Sequence, residues 1–371
     1  SQGFHPAEKR QGDGLSAQPQ AGFMSLRSRL GFPAEPLYLM DGSAFIFRSF
    51  SAYRTMSRSD GFPTNVIYMV ARLILKLLRE EKPRQFVFVM DGKGMTFRHE
   101  QFPSYKAQRS ATPEPLVQQI APLRQLLDLL GVPVIVSQGC EADDCIASLT
   151  ARYRDSRPVV ILGADKDLKQ CLHSNVVLWD PASKDEKVTT LEVFRAENGM
   201  EPSSWPDYQA LVGDSSDNIP GVPKIGPKTA DELMRLFPTL EELFDRLPAV
   251  PPKVRAKLEG QRENAMLYRE LTRLQTHACS DVPESDLSLR PASLKPLLEF
   301  MAEYELRSLA REVESMCRAG ALVGVDPAET VEEAAPNDAV KSPTGPPSRR
   351  ASGVALPATG GLIAGSVSGP Q

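Results

Sequence analysis

Four short apolar runs, each followed within a few residues by carboxylates, constrain this chain more than any other feature. They lie at 37–40, 85–90, 132–136 and 158–162. The acids behind them are Asp41, Asp91, the group Glu141, Asp143 and Asp144, and the pair Asp165 and Asp167. The runs are continuous rather than alternating, as in QFVFVM and PVVIL, which is the pattern of strands buried on both faces. Helical patterns separate them. One opens at Pro63-Thr64 and runs through Ile67, Val70, Leu73, Ile74 and Leu77, a second spans 113–130 before Gly131, and a third spans 145–153. A fifth strand is expected at 176–179. This alternation predicts an α/β fold, a mainly parallel sheet with helices on both faces. Ligands of such sheets bind beyond the carboxyl ends of the strands, so the four acidic groups should meet at one edge. Asp-Gly, present at 41–42 and 91–92, is by itself an ordinary turn signal, and acids in a first helical turn complement the helix dipole. Neither accounts for four strand ends that all carry acids.

From about residue 205 the strand signals stop, and helices are expected at 208–211, 229–237, 240–247, 254–274, 291–304 and 306–317. The expected organisation is a disordered segment at 1–35, an α/β domain at 36–204, a helical DNA-binding subdomain at 205–318, and a disordered tail or linker at 319–371. A basic segment at about 92–112 interrupts the α/β domain without a helical stripe of useful length, and a hairpin at about 213–236 opens the helical part. Five cysteines without C-x-x-C spacing fit buried thiols of a reducing compartment. The absence of a signal peptide or long apolar run fits a soluble, cytoplasmic protein, and Ser1 in place of Met points to a start upstream. A net charge of −4 excludes a protein that coats nucleic acid by basicity alone, but not one whose acids hold metal while its cations gather elsewhere.

The hairpin adds Asp214 and Asp217, for nine candidate ligands: Asp41, Asp91, Glu141, Asp143, Asp144, Asp165, Asp167, Asp214 and Asp217. Two unit charges about 4 Å apart repel by roughly 4 kcal/mol at an effective dielectric near 20. Converging carboxylates must therefore protonate or gather cations. Oxygen ligands without His or Cys favour Mg²⁺, with Mn²⁺ as a substitute, over Zn²⁺. So many ligands suit two ions, the arrangement used for in-line attack on phosphodiesters. The segment Gly221-Val222-Pro223-Lys224-Ile225-Gly226-Pro227-Lys228-Thr229 presents backbone N–H groups at a helix start, which holds a phosphate without reading sequence. Its turn carbonyls are also a candidate K⁺ site. In the basic segment, cations interleave with Phe97, Phe102 and Tyr105, a pattern suited to a single strand. Lys106 and Arg98 are the expected contacts to the reacting phosphate, and Arg109 belongs to the same surface. His99 is read as a surface residue.

The words LYLMDGSAFIFRSF, FVFVMDGKGMTFRHEQFPSYKAQR, GCEADDCIASL, ILGADKDLKQ and ALVGDSSDNIPGVPKIGPKTA, in this order, resemble the 5′-nuclease family. The resemblance is closest to members at the N-terminus of bacterial DNA polymerase I. It covers about 37–235 and continues weakly to about 290. It implies a PIN/5′-nuclease-like fold with a helix-three-turn-helix that grips duplex DNA. It also implies a two-metal nuclease without a membrane partner that cuts 5′ flaps, nicked duplexes and 5′ ends and removes RNA primers in replication and repair. By position, Asp41, Asp91, Glu141 and Asp143 would serve one ion, and Asp143, Asp165, Asp167 and Asp217 the other, with Asp144 and Asp214 in support. Lys106, Arg98 and Tyr105 match the strand-threading arch. Lys224 departs from the glycine usual at that point of the hairpin. The expected protein is a monomer, with a polymerase domain in cis beyond residue 371 or a free tail. A phosphatase reading of Met40-Asp41-Gly42-Ser43 fails because Leu39 stands where a second aspartate is needed. A PIN-type ribonuclease lacks a reason for the hairpin, and a non-catalytic DNA-structure-binding module would not need the complete acid set.

Overall fold

A computed structural model describes residues 24–52 and 56–325. Its centre is a six-stranded sheet of order β3-β2-β1-β4-β5-β6. The strands are β1 (Leu37–Asp41), β2 (Gln85–Met90), β3 (Val134–Val136), β4 (Val159–Leu162), β5 (Val176–Trp179) and β6 (Val188–Thr189). The first five are parallel, and β6 closes the edge antiparallel to β5. Successive residues of each strand enter opposite cores, as the strand period requires. Leu37 and Leu39 of β1 join Val87, Val89, Val159 and Ile161 on one face. Tyr38 and Met40 join Phe86, Phe88, Val160 and Leu162 on the other. Continuous apolar runs are thus explained by two covered faces.

The second face is packed by α2 (Gly42–Ala52), α3 (Asn65–Glu81) and α5 (Glu114–Leu129). The first face carries α6 (Ala142–Tyr153) and is continuous with the apolar core of the helical region. That region comprises α8 (Trp205–Val212), α9 (Pro227–Leu236), α10 (Leu240–Asp245), α11 (Pro252–Leu258) and α12 (Arg262–Thr272), preceded by α7 (Leu191–Asn198). The last helices, α13 (Leu294–Glu303) and α14 (Arg307–Arg318), do not extend the helical region. Leu297, Phe300, Met301, Leu309 and Val313 pack into the core of the second face with α3 and α5.

Several expectations need correction. The expected disorder at 1–35 fails from residue 24, where α1 (Leu26–Leu30) begins; residues 1–23 lie outside the described part. Leu26 is fully buried, and its N–H donates to both Glu81 carboxylate oxygens at 2.8 and 3.0 Å, while the Tyr38 hydroxyl donates to Oε2 at 2.9 Å. One apolar anchor and one buried carboxylate outweigh the polar composition around them. The expected tail is likewise ordered to residue 325, with Leu322 and Val325 buried, and the remainder lies outside the described residues. The single helix expected at 254–274 is two helices, α11 and α12, separated at Gly260, which has φ 75°. The basic segment contains a short helix, α4 (Phe97–Gln101), capped by Thr96 and His99. The cysteines are not all thiols: Cys145 and Cys279 form a disulfide across 134 residues, with Cα atoms 5.2 Å apart. No local spacing marks a pair that only the fold brings together. Among the described residues, no helix is long and apolar enough to cross a membrane.

The two Asp-Gly pairs also play a part other than the turn they suggest. Gly42 begins α2 directly, and a Cβ there would lie 2.2 Å from Cε1 of Phe88. A Cβ at Gly92 would lie 1.9 Å from the carbonyl oxygen of Ser137. Neither has positive φ, so it is space rather than backbone freedom that requires glycine behind Asp41 and Asp91. Gly42→Ala is therefore expected to destabilise the fold by about 1–3 kcal/mol through overpacking against Phe88. Gly226→Ala, where nothing lies within 4 Å of the added carbon, serves as the control, and urea denaturation measures both.

Candidate metal centre

The parallel register delivers the acids to one edge. Asp41 is the last residue of β1, and its Oδ1 accepts from the Ala44 N–H of α2 at 3.0 Å. Asp91 follows β2; its N–H donates to Ser43 Oγ at 2.9 Å, and its Oδ1 accepts from Ala142 N–H at 2.8 Å. These bonds tie the ends of β1 and β2 to the start of α6. Asp143 stands in the first turn of α6, and Asp165 and Asp167 follow β4.

Burial and like charge act on these acids together. The Asp143 carboxyl is driven well above the usual range by burial and then by Asp41, Asp165, Asp167 and Asp91. Burial, with Asp91 and Asp165 opposing ionisation, raises Asp41 to about 7 against the bond from Ala44. Asp167 is raised to about 7 by burial, then by Asp165, Asp217 and Asp214, against a bond from Gln209. Asp143 thus faces both the Asp41–Asp91 group and the Asp165–Asp167 group.

The hairpin completes the edge. Asp214 and Ile219 exchange backbone hydrogen bonds of 2.8 Å, closing a tight loop that carries Asp217 inward. Carboxylate oxygens of Asp167, Asp214 and Asp217 lie within 4.8 Å of one another. Asp214 therefore belongs with Asp167 and Asp217, and not merely in support. Burial would raise its carboxyl, but Lys166 Nζ at 2.8 Å and Ser216 hold it below the usual range. The donor set is all carboxylate oxygen, and four members, Asp41, Asp143, Asp167 and Asp217, are pushed toward protonation by burial and like charge. Both facts fit hard divalent cations. Asp41 and Asp91 would hold one ion and Asp167, Asp214 and Asp217 the other, with Asp143 and Asp165, which oppose members of both groups, between them.

The arch residues meet the acids differently from the sequence expectation. Arg98 is 1% exposed and cannot reach a substrate phosphate. Its guanidinium binds Asp144 twice, at 2.7 and 2.8 Å, and donates to the carbonyls of Leu271 at 2.7 Å and Arg273 at 3.0 Å. Asp144, fully buried, also accepts from Glu141 N–H and Gln275 N–H, both at 2.9 Å. Its two oxygens thus accept four hydrogen bonds, which leaves no lone pair for an ion in this arrangement. Tyr105 is 2% exposed, and its hydroxyl lies 2.9 Å from both Glu141 Oε2 and Asp217 Oδ2, so its ring does not stack on bases. Phe97 packs on the core and Phe102 meets Tyr268 edge-on. His99, expected at the surface, accepts from Thr96 N–H at 3.1 Å and packs edge-on against Tyr105.

Lys106 does reach the site. Its Nζ bonds Glu141 and lies 3.6 Å from Asp217, and its N–H donates to the Asp217 carbonyl at 3.0 Å. Exposed Arg109 bonds Asp217 Oδ1 at 2.8 Å. Glu141 thus faces the arch cations rather than the strand-end acids. Gly221, φ 70°, packs 2.5 Å (as a virtual Cβ) from Gly213 N, which fixes the turn. Lys224 adopts φ 63° in glycine's place, and its carbonyl accepts from Lys257 Nζ at 3.0 Å. Gly226 caps α9, with Lys228 exposed and Thr229 half-buried in a first turn free of acids. The residue that sequence reasoning missed is Gln209 on α8, whose amide bonds Asp167.

The 5′-3′ exonuclease N-terminal resolvase-like domain matches residues 36–199, and the 5′-3′ exonuclease C-terminal SAM fold matches 200–295. A 5′-3′ exonuclease of Aquifex aeolicus is 36% identical over 283 residues, covering 76% of this chain and 96% of that protein. A thermostable DNA polymerase I of Thermus thermophilus is 38% identical over 283 residues, and this chain spans only 33% of its length. Among solved structures, zinc-bound T5 5′-exonuclease superposes with TM-score 0.56 at 22% identity, over 73% of this chain and all but 1% of that one (99% covered). The catalytic core of Rad2 in complex with DNA gives 0.54 at 18%, over 80% and 98%.

Two outcomes follow from the geometry. Arg98→Met should destabilise the protein by about 3–5 kcal/mol, because Asp144 is left charged and buried. A chemical-denaturation midpoint unchanged alongside lost turnover would instead make Arg98 a substrate contact. In EDTA, stability should fall as pH rises from about 5 to 8. Asp41, Asp143 and Asp167 have folded values above the unfolded ones, so the folded state holds extra protons in that window and loses them as pH rises. Millimolar Mg²⁺ or Mn²⁺ should reverse most of the fall in melting temperature.

Proposed function

The chain belongs to the 5′-3′ exonuclease family, and from that premise we propose that it hydrolyses DNA phosphodiesters at 5′ flaps, nicks and 5′ ends with two Mg²⁺ ions. The reading includes removal of RNA primers during replication and repair by a monomeric enzyme, leaving a 3′-OH and a 5′-phosphate. The observation that carries it is the meeting of the Asp167, Asp214 and Asp217 carboxylates within 4.8 Å of one another at the strand-end edge, where burial and the charges of Asp41, Asp165, Asp167 and Asp91 also oppose ionisation of Asp143, as suits a ligand shared between two ions. When bound, the ions supply positive charge for the attacking and leaving oxygens of an in-line displacement.

The chain's own groups have separate tasks. Lys106, held between Glu141 and Asp217, is the cation placed to contact the scissile phosphate. Arg109 extends that basic surface along the strand. Gly226, Lys228 and Thr229 at the start of α9 offer N–H groups and charge to a duplex phosphate, and Gly221 and Lys224 shape the turn ahead of them. The turn carbonyls remain the proposed K⁺ position, where Lys257 already bonds the Lys224 carbonyl.

A 5′-flap duplex and an RNA hairpin, each with Mg²⁺ or EDTA, test the reading. Metal-dependent release of short 5′ products from the flap alone is expected, and Asp143→Ala should abolish it while duplex affinity stays within a few-fold. Binding without cleavage by the unaltered protein would overturn the reading in favour of a DNA-structure-binding module.

A further inference from the structure

Each carboxylate of the Asp167, Asp214 and Asp217 group is steered by a different donor. Asp214 is held by Lys166 and Ser216, and Asp217 by Tyr105, Lys106 and Arg109. Both therefore carry protein cations that any incoming ion must contend with. Asp167 differs. Among the described residues its carboxylate has one donor, the side-chain amide Nε2 of Gln209. A neutral amide orients a carboxylate without offsetting its charge.

Gln209 is built for that contact. It lies in the last turn of α8, is 3% exposed, and its carbonyl accepts from Gly213 N–H at 2.7 Å, one residue before Asp214. A single residue thus ends the helix that positions Asp214 and also reaches Asp167 in the strand-end group. Its Oε1 is buried without a partner among the described residues. Turning the amide over would set two acceptors against each other at Asp167, so the free Oε1 belongs to this arrangement. A buried, unpaired amide oxygen on the side chain that bonds Asp167 is the acceptor left for water arriving with an ion.

We propose that Gln209 is a positioning residue that acts through Asp167 to hold the ion shared by Asp167, Asp214 and Asp217. Nothing in the alternation of apolar runs or in the acidic words points to it. The proposal rests on the two-ion reading, and its test separates the two. Free Mn²⁺ is measured by electron paramagnetic resonance in titrations without DNA, for the unaltered chain, Gln209→Met and Gln209→Asn. The methionine keeps the volume and removes the donor; the asparagine keeps the amide and withdraws it by one carbon. The unaltered chain should bind two Mn²⁺. In both variants one Kd should rise 10- to 100-fold, the range for removing a partner that orients a metal ligand, and the other should stay within about twofold. In an Asp167→Asn background, Gln209→Met should then add nothing. Folded variants with both Kd values unchanged would overturn the proposal. So would unfolding of both variants in EDTA, which would make Gln209 a residue of the fold rather than of the ion. An unaltered chain that binds no Mn²⁺ would instead defeat the two-ion reading beneath it.

Discussion

Mutual repulsion among carboxylates held on a rigid edge is the constraint around which this molecule is arranged. Asp143 opposes Asp41, Asp165, Asp167 and Asp91, and Asp167 in turn opposes Asp165, Asp217 and Asp214. At roughly 4 kcal/mol per close pair, such a set cannot be maintained by loops alone. Parallel strands buried on both faces supply the rigidity. Leu39 and Met40, facing opposite cores immediately before Asp41, leave that residue no freedom to withdraw. Backbone donors from Ala44 and Ala142 then fix Asp41 and Asp91 without adding a counter-charge of their own, which leaves the net negative potential for cations from outside.

The protein's own cations occupy the periphery of that field. The arch and the hairpin are stitched together by Lys106 N–H to the Asp217 carbonyl, Asn218 to the Ser104 carbonyl, and Gln108 to the carbonyls of Ser215 and Ser216. Tyr105, Lys106 and Arg109 converge on Asp217 from the same segment. Arch conformation and the charge available at Asp217 are therefore physically linked.

The sheet, its two covered faces and the meeting of acids at one edge were legible because they follow from apolar runs and from where Asp41, Asp91, Asp143 and Asp165 stand relative to them. What was not legible depended on contacts distant in sequence. Arg98 reads as a phosphate ligand because exposure is invisible in a basic segment. Its burial depends on Leu271 and Arg273, some 170 residues away, which accept its remaining donors. Tyr105 reads as a stacking ring for the same reason. The Cys145–Cys279 pair and the Gln209–Asp167 bond join segments with no shared local pattern. Residues 24–30 were hidden by composition, since one buried leucine on Glu81 decides the order of a polar stretch.

Asp143 and Asp144 show how finely the division is drawn. They are adjacent, identical in chemistry and both in the first turn of α6, so sequence assigns both to metal. An α-helix turns successive residues by about 100°. That rotation sends Asp143 to the acidic edge and Asp144 inward, on the same face as Ser148 one turn later. Asp144 accepts from Gln275 N–H at 2.9 Å, and Ser148 Oγ accepts from Ala278 N–H at 2.8 Å. The inward face of α6 therefore clamps the chain leaving α12, and Arg98 adds the base of the arch to the same clamp. Displacing that clamp would tilt α6 and with it Asp143, so a charge turned away from the acidic edge still determines where the candidate ligand points.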